Sequence, residues 1–103
     1  MRRVLRSRTA VASFDALLLQ GLPKFGIAVV MEKARLVDDA IDHYLAEFPH
    51  LGLRTRGQPF LHYPVRHTPF VVIYEYDDKE LRILFVVHES ADRRDLDSSD
   101  VRW

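Results

Sequence analysis

The stretch VVHESADRRDLD, Val86 to Asp97, gathers more reactive side chains than any other part of the chain. His88, Ser90 and Asp92 are the residue types of a hydrolase triad. A triad needs a base that reaches its nucleophile and a carboxylate that orients the base. Here the three are neighbours in sequence, and no strand-to-helix elbow surrounds Ser90, so the pattern does not read as a nucleophile site. His62, His67 and His88 are the candidate metal ligands. They lack the HxH or HxxxH spacing that places two imidazoles on one cation, and no acid lies between Glu47 and Glu75 to complete a set. No metal and no cofactor is therefore expected.

The remaining chemistry is cationic. Arg54, Arg56 and Arg66 form a basic island within the acid-free interval, and Arg2, Arg3, Arg6 and Arg8 crowd the start. Acids gather at Asp38–Glu47, Asp77–Glu80 and after His88, so a basic and an acidic side are expected. The net charge is zero, and no global field draws the chain to nucleic acid. No aromatic platform is evident beside the basic island, so it reads as a docking face for an acidic protein segment rather than as a nucleic-acid site.

These residues need a scaffold. With 103 residues, 48% of them apolar, the chain suits one domain, 1–103, with a single compact core. The absence of cysteine excludes disulfides and thiolate chemistry and fits a reducing cytosol. No uninterrupted apolar run nears the roughly 20 residues that span a bilayer, and the Arg-rich start lacks a signal-peptide core, so no membrane association is expected.

RRVLR is a short strand. Ser7 or Thr9 caps a helix over about 9–20, striped by Val11, Phe14, Leu17 and Leu18. GLPKFG breaks it, and a second helix runs over about 26–47. Its stripe is Ile27, Val30, Met31, Ala34, Val37, Ile41, Tyr44, Leu45 and Phe48. FPHLGLRTRGQP is a loop. FLHYPV, PFVVIYEY and LRILFVVH are strands, the first at an edge because of Pro64. The turn DDKE pairs Tyr76 with Leu81, Tyr74 with Ile83, Val72 with Phe85 and Phe70 with Val87 on one apolar face. On the other it pairs Glu75 with Arg82, Ile73 with Leu84 and Val71 with Val86, and sets His88 opposite Pro69. The predicted fold is α+β: an N-terminal strand and an antiparallel helix hairpin packed on a mostly antiparallel four-stranded sheet, in the order β-α-α-β-β-β.

This order resembles the RelE/ParE family of bacterial toxins from toxin–antitoxin modules, over nearly the whole chain. The residues that carry the resemblance are SRTAVASFDAL at the first helix, FPHLGLRTRG between helix and sheet, FVVIYEYDDKELRILFVVH as the final hairpin, and the RRD of Arg93, Arg94 and Asp95. Arg93 and Arg94 follow His88 at a wider spacing than the family often shows. The resemblance implies a cytoplasmic bacterial toxin in a hetero-oligomer with a co-encoded antitoxin, a small protein with a DNA-binding N-terminal part. It also implies one of two activities. ParE-like members bind and poison DNA gyrase, and RelE-like members cleave mRNA on the ribosome.

For the nuclease, the candidates are Arg54, Arg82, His88 and Arg93. Cleavage without metal needs groups to activate the 2′-oxygen, steady the phosphorane and protonate the leaving oxygen. It also needs cations along the backbone. The chain has three lysines, Arg82 faces Glu75 in the hairpin register, and DLDSSDVRW supplies acids but no Tyr or His. The ParE-like reading is preferred, with the nuclease as alternative and an inert antitoxin-binding module as a third. Val71, Ile73, Leu84 and Val86, on the sheet face away from the helices, are the expected antitoxin surface, with Arg54, Arg56 and Arg66 beside it, and the antitoxin is expected to lie across this face and the helix hairpin. His88, Arg93 and Arg94 are expected at the target contact, and Trp103 is expected to dock on sheet or helix.

Overall fold

Ser7 links the first strand to the first helix. In the computed structural model, which describes residues 1–54 and 57–103, its side chain is fully buried. Oγ accepts from the Ala10 amide at 2.8 Å, capping the helix, and donates to the Leu84 carbonyl at 2.9 Å. One hydroxyl thus satisfies an orphan helix donor and a sheet carbonyl. Thr9, the other capping candidate, accepts instead from the Arg102 amide.

Helix α1 (Arg8–Asp39) continues through Gly21 and Pro23, where a break was expected, and turns at Gly26 (φ 79°, ψ 165°). Only glycine adopts this backbone without strain. Gly21 stays helical, and a Cβ there would meet Val30 Cγ2 at 3.4 Å, an ordinary contact, so packing does not demand glycine at this position. The second arm returns beside the first, and Arg6 binds Asp38 at 2.8 Å and Asp42 at 2.9 Å. The antiparallel helix hairpin is present, with a one-residue turn. By length and composition Arg8–Leu45 is long and apolar enough to cross a membrane, which the count of uninterrupted apolar runs did not register. The break at Gly26 divides it, and about 11% of its most apolar 18-residue window is buried in this fold.

The second arm ends in a π-helical turn, Ala40–Leu45. A wider turn adds a residue per cycle and re-phases the helix. Val37, Ile41, Leu45 and Ala46 are buried, while Tyr44 and Phe48 are turned outward, 47% and 44% exposed. Ile27 and Met31 also leave the expected stripe for solvent, because the arm packs on the sheet core only from Ala34 onward.

The sheet has five strands in the order β1-β5-β4-β3-β2: β1 (Arg3–Arg6), β2 (Leu53–Arg54), β3 (Leu61–Pro64), β4 (Phe70–Tyr76) and β5 (Glu80–His88). β1 runs parallel to β5 and the other pairs are antiparallel. β2 is an added edge in a segment expected to be loop. The Val65 amide bonds the Phe70 carbonyl at 3.0 Å, so the neighbouring Pro64 nitrogen faces the other edge, beyond the reach of β2.

The hairpin register matches expectation for Tyr76↔Leu81, Glu75↔Arg82 and Tyr74↔Ile83. A bulge at Leu84 then shifts it by one, giving Ile73↔Phe85, Val72↔Val86, Val71↔Val87 and Phe70↔His88. The extra residue sends Leu84 and Phe85 to the same face and Val86 to the opposite one. Val86 accordingly packs in the helix-side core with Phe14, Val72 and Ile83, not on the outer face. The outer face is not open either. Val71, Ile73, Leu84 and Phe85 are buried beneath Phe60, Val101 and Leu96. The expected antitoxin surface of Val71, Ile73, Leu84 and Val86 is therefore core, because the segment after β5 folds back across the sheet. Val101 and Leu96 do the docking assigned to Trp103, which is half exposed.

Candidate partner-binding surface

Arg82 is enclosed by carboxylates. Its guanidinium bonds Glu75 at 3.1 Å, Asp77 at 2.9 Å and Glu80 at 3.2 Å. The hydrogen bond from Arg82 holds the Asp77 carboxyl down at about 2, aided by the Lys79 and Glu80 amides. The expected Glu75–Arg82 pair is present, and two further acids join it. Arg54 borders the same hollow, with Asp78 as a further acid. Arg3 pairs with Glu80 at 3.3 Å and Arg2 donates to the Asp77 carbonyl at 2.6 Å, so the corner is a shared network of opposite charges in which Arg82 is not a free cation.

His88 lies at the far end of β5, six residues from Arg82 and thus about 20 Å away at the rise of a strand. Its Nδ1 accepts from the Ser90 amide at 3.1 Å and lies 2.7 Å from Ser90 Oγ. Asp92, the third triad type, binds Arg94 at 2.8 Å, so it does not orient the imidazole. Of the nuclease candidates, Arg54 and Arg82 border one hollow, Arg93 a second and His88 a third. Among the described residues no three metal-ligating side chains gather. His62, His67 and His88 border three different hollows.

His62 is buried on the outer face. Its Nε2 lies 2.8 Å from Gln58 Oε1, and Gln58 Nε2 donates to the Arg93 carbonyl at 2.7 Å. This relay fastens the segment after β5. Burial, then the Arg93 charge, holds the imidazole below its usual 6.5. A base with a lowered folded value is stabilising while neutral. Its contribution is present above pH 6.5 and is lost as pH falls through 6.5 and the lower folded value. The urea midpoint is expected to fall between pH 7 and pH 5, and to fall less in His62→Gln. Equal slopes in both proteins would refute this assignment.

Arg93 is half-buried and Arg94 exposed, together beside the His62 hollow, while His88 borders a different groove. The expected target triplet is thus divided. Arg66 is exposed beside Tyr63 and His67, and Arg56 lies outside the described residues.

The groove beside His88 went unrecognised in the sequence. Leu17, Leu18, Gly21, Phe25, Val29, Val30 and Phe70 form its apolar wall, around about 190 Å³. Lys24, Lys33 and His88 stand on its rim, and no carboxylate lines it among the described residues. Leu19, Phe25, Ile27 and Met31 extend the apolar surface over the hairpin tip, each at least 60% exposed. The available signal is the hairpin tip, 17–31, apolar on nearly every side, which a helix covered on one face does not require.

A chain of the structure described as the chromosomal ParDE TA system from P. aeruginosa superposes on this fold with a TM-score of 0.72. The match covers 85% of this chain and 96% of that one, at 17% identity. The chain thus has a ParE-like α+β fold, in agreement with the architecture read from the sequence. The sequence matches no protein-family model and no curated protein.

Proposed function

We propose that this chain is the ParE-like toxin of a bacterial type II toxin–antitoxin module. It is held by a co-encoded antitoxin in the cytoplasm and acts by binding DNA gyrase. The observation that carries the reading is the uncovered apolar tip and groove of the helix hairpin, on a fold shared with the ParDE structure. Contiguous exposed apolar surface of this kind marks a protein–protein site. The cationic groups at Lys24 and Lys33 favour an amphipathic antitoxin helix with acids along its flank. Arg66 and Arg94, both exposed, remain for contacts to antitoxin or target. The binding mode is favoured over mRNA cleavage because Arg82 is neutralised by three carboxylates and lies about 20 Å along the strand from His88.

Expression without antitoxin is expected to arrest growth, and the purified protein to inhibit gyrase supercoiling without cleaving mRNA on ribosomes. Cleavage would establish the nuclease alternative, and unimpeded growth the inert module. Phe25→Asp, on a side chain 64% exposed, is expected to weaken antitoxin binding about thirtyfold or more, the scale of an interface hot spot. Unchanged affinity with an intact fold would remove the groove from the interface.

A further inference from the structure

The kink at Gly26 brings the second helical arm back beside the first and leaves a groove between them. Leu17 and Phe25 of the first arm line it with Val29 and Val30 of the second, and Phe70 of β4 completes the apolar set. The hollow measures about 190 Å³. An apolar cavity of about 150 Å³ admits a benzene-sized guest, so this one suits an alkyl chain of about seven or eight carbons.

The polar groups at its mouth are few and of one kind. Lys24 forms no salt bridge among the described residues. Lys33 Nζ donates to the His67 carbonyl, which leaves Lys24 as the cation open to a ligand. His88 Nδ1 accepts from the Ser90 amide, so the ring proton sits on Nε2 as a neutral donor. No carboxylate lines the groove among the described residues. One such cation and one neutral donor match a single negative charge, not the nearly double charge of a phosphate monoester.

We propose that this groove binds a medium-chain alkyl carboxylate, its chain along the apolar wall and its head group at Lys24 and His88. Small-molecule sites are built in this way, concave and apolar with a few polar groups that fix orientation. An alcohol of the same length lacks the charge, and an alkylamine meets Lys24 with its own sign. The groove is the one assigned above to the antitoxin. A bound carboxylate therefore competes with the antitoxin, and that consequence alone rests on the toxin reading.

The test is isothermal titration calorimetry of the full chain with hexanoate, heptanoate and octanoate, each below its micelle concentration, with amide-resolved NMR to place the ligand. Octanoate is expected to bind and to shift the amides of Gly21, Val29, Val30 and His88. Affinity is expected to rise about fourfold per added methylene. Octanol and octylamine are expected to bind more weakly. Lys24→Gln is expected to weaken octanoate about fivefold, the upper range of an exposed charge pair, and to leave octanol unchanged. Val29→Glu, on a side chain 44% exposed, sets a carboxylate in the groove and is expected to weaken octanoate further. The proposal is overturned if octanoate does not bind, if its shifts map elsewhere, or if chain length has no effect. It is also overturned if octanol binds as well and Lys24→Gln, with an unchanged circular dichroism spectrum, alters nothing. Co-sedimentation with phosphatidylglycerol vesicles in place of octanoate binding has the same meaning. Absent octanoate binding leaves the antitoxin reading standing wherever Phe25→Asp still weakens the antitoxin. Octanoate binding that leaves antitoxin affinity unchanged takes the antitoxin out of the groove and keeps the ligand site.

Discussion

Leu84→Asp is expected to unfold the protein rather than to weaken one contact. Leu84 is 2% exposed, in the outer core with Val71, Ile73, Phe60 and Val101. Removing it forfeits roughly 2–3 kcal/mol of apolar burial. The carboxylate left among apolar atoms adds a desolvation cost of several kcal/mol. Together these approach the whole stability of a small domain, about 5–15 kcal/mol. Loss of the near-ultraviolet circular dichroism signal at 25 °C is the expected reading. Ile27→Asp, at a side chain 70% exposed, is the matched control and keeps the native spectrum. A native Leu84→Asp spectrum would mean that the Leu96–Val101 segment does not cover this face.

Tyr74→Phe removes one atom from a fully buried ring. The phenol accepts from the Gly52 amide at 2.8 Å and donates to the Pro49 carbonyl at 2.6 Å. Both groups lose their partner in the variant, at about 1–3 kcal/mol each when desolvated. A loss of about 2–4 kcal/mol follows, or roughly 10–25 °C in melting temperature for a domain of this size. Gly52 belongs to the same device, because a Cβ there would sit 2.8 Å from Tyr74 Cζ and 2.9 Å from Leu61 Cβ. Burial pushes the phenol up to about 12 from the usual 10. A raised folded value means stability present below pH 10 and lost as pH climbs from 10 through 12. Wild type is expected to lose melting temperature across that window more steeply than Tyr74→Phe. Parallel curves would show that the buried hydroxyl does not titrate there.

The helix hairpin, the three long strands and the first three hairpin pairs were legible because their signals are local. Glu75 and Arg82 flank a short acidic turn, so one register brought them together. The bulge was not legible: Leu84, Phe85, Val86 and Val87 are all apolar, and a run without alternation carries no phase. The π-helical turn was hidden for a similar reason, since Tyr44 and Leu45 suit either side of a helix seam. The covering segment reads as polar chain, and its burial rests on Leu96 and Val101 alone. That error moved the expected partner surface onto core residues. The groove joins residues from distant elements, which no spacing within one element records.

The parallel seam between β1 and β5 bears on how the chain is made. Arg3 pairs with Glu80, 77 residues later. The first strand therefore leaves the ribosome with no neighbour and waits while the hairpin that receives it is translated. At about 5–20 residues per second that interval lasts roughly 4–15 s. The Ser7 bond to Leu84 and the Arg8 and Thr9 amide bonds to the Arg102 carbonyl form later still. Helix α1 follows the first strand, with its apolar tip exposed and no sheet behind it. A nascent chain in that condition is inert as a folded binder and open to capture, so the order of synthesis itself delays the appearance of the finished surface.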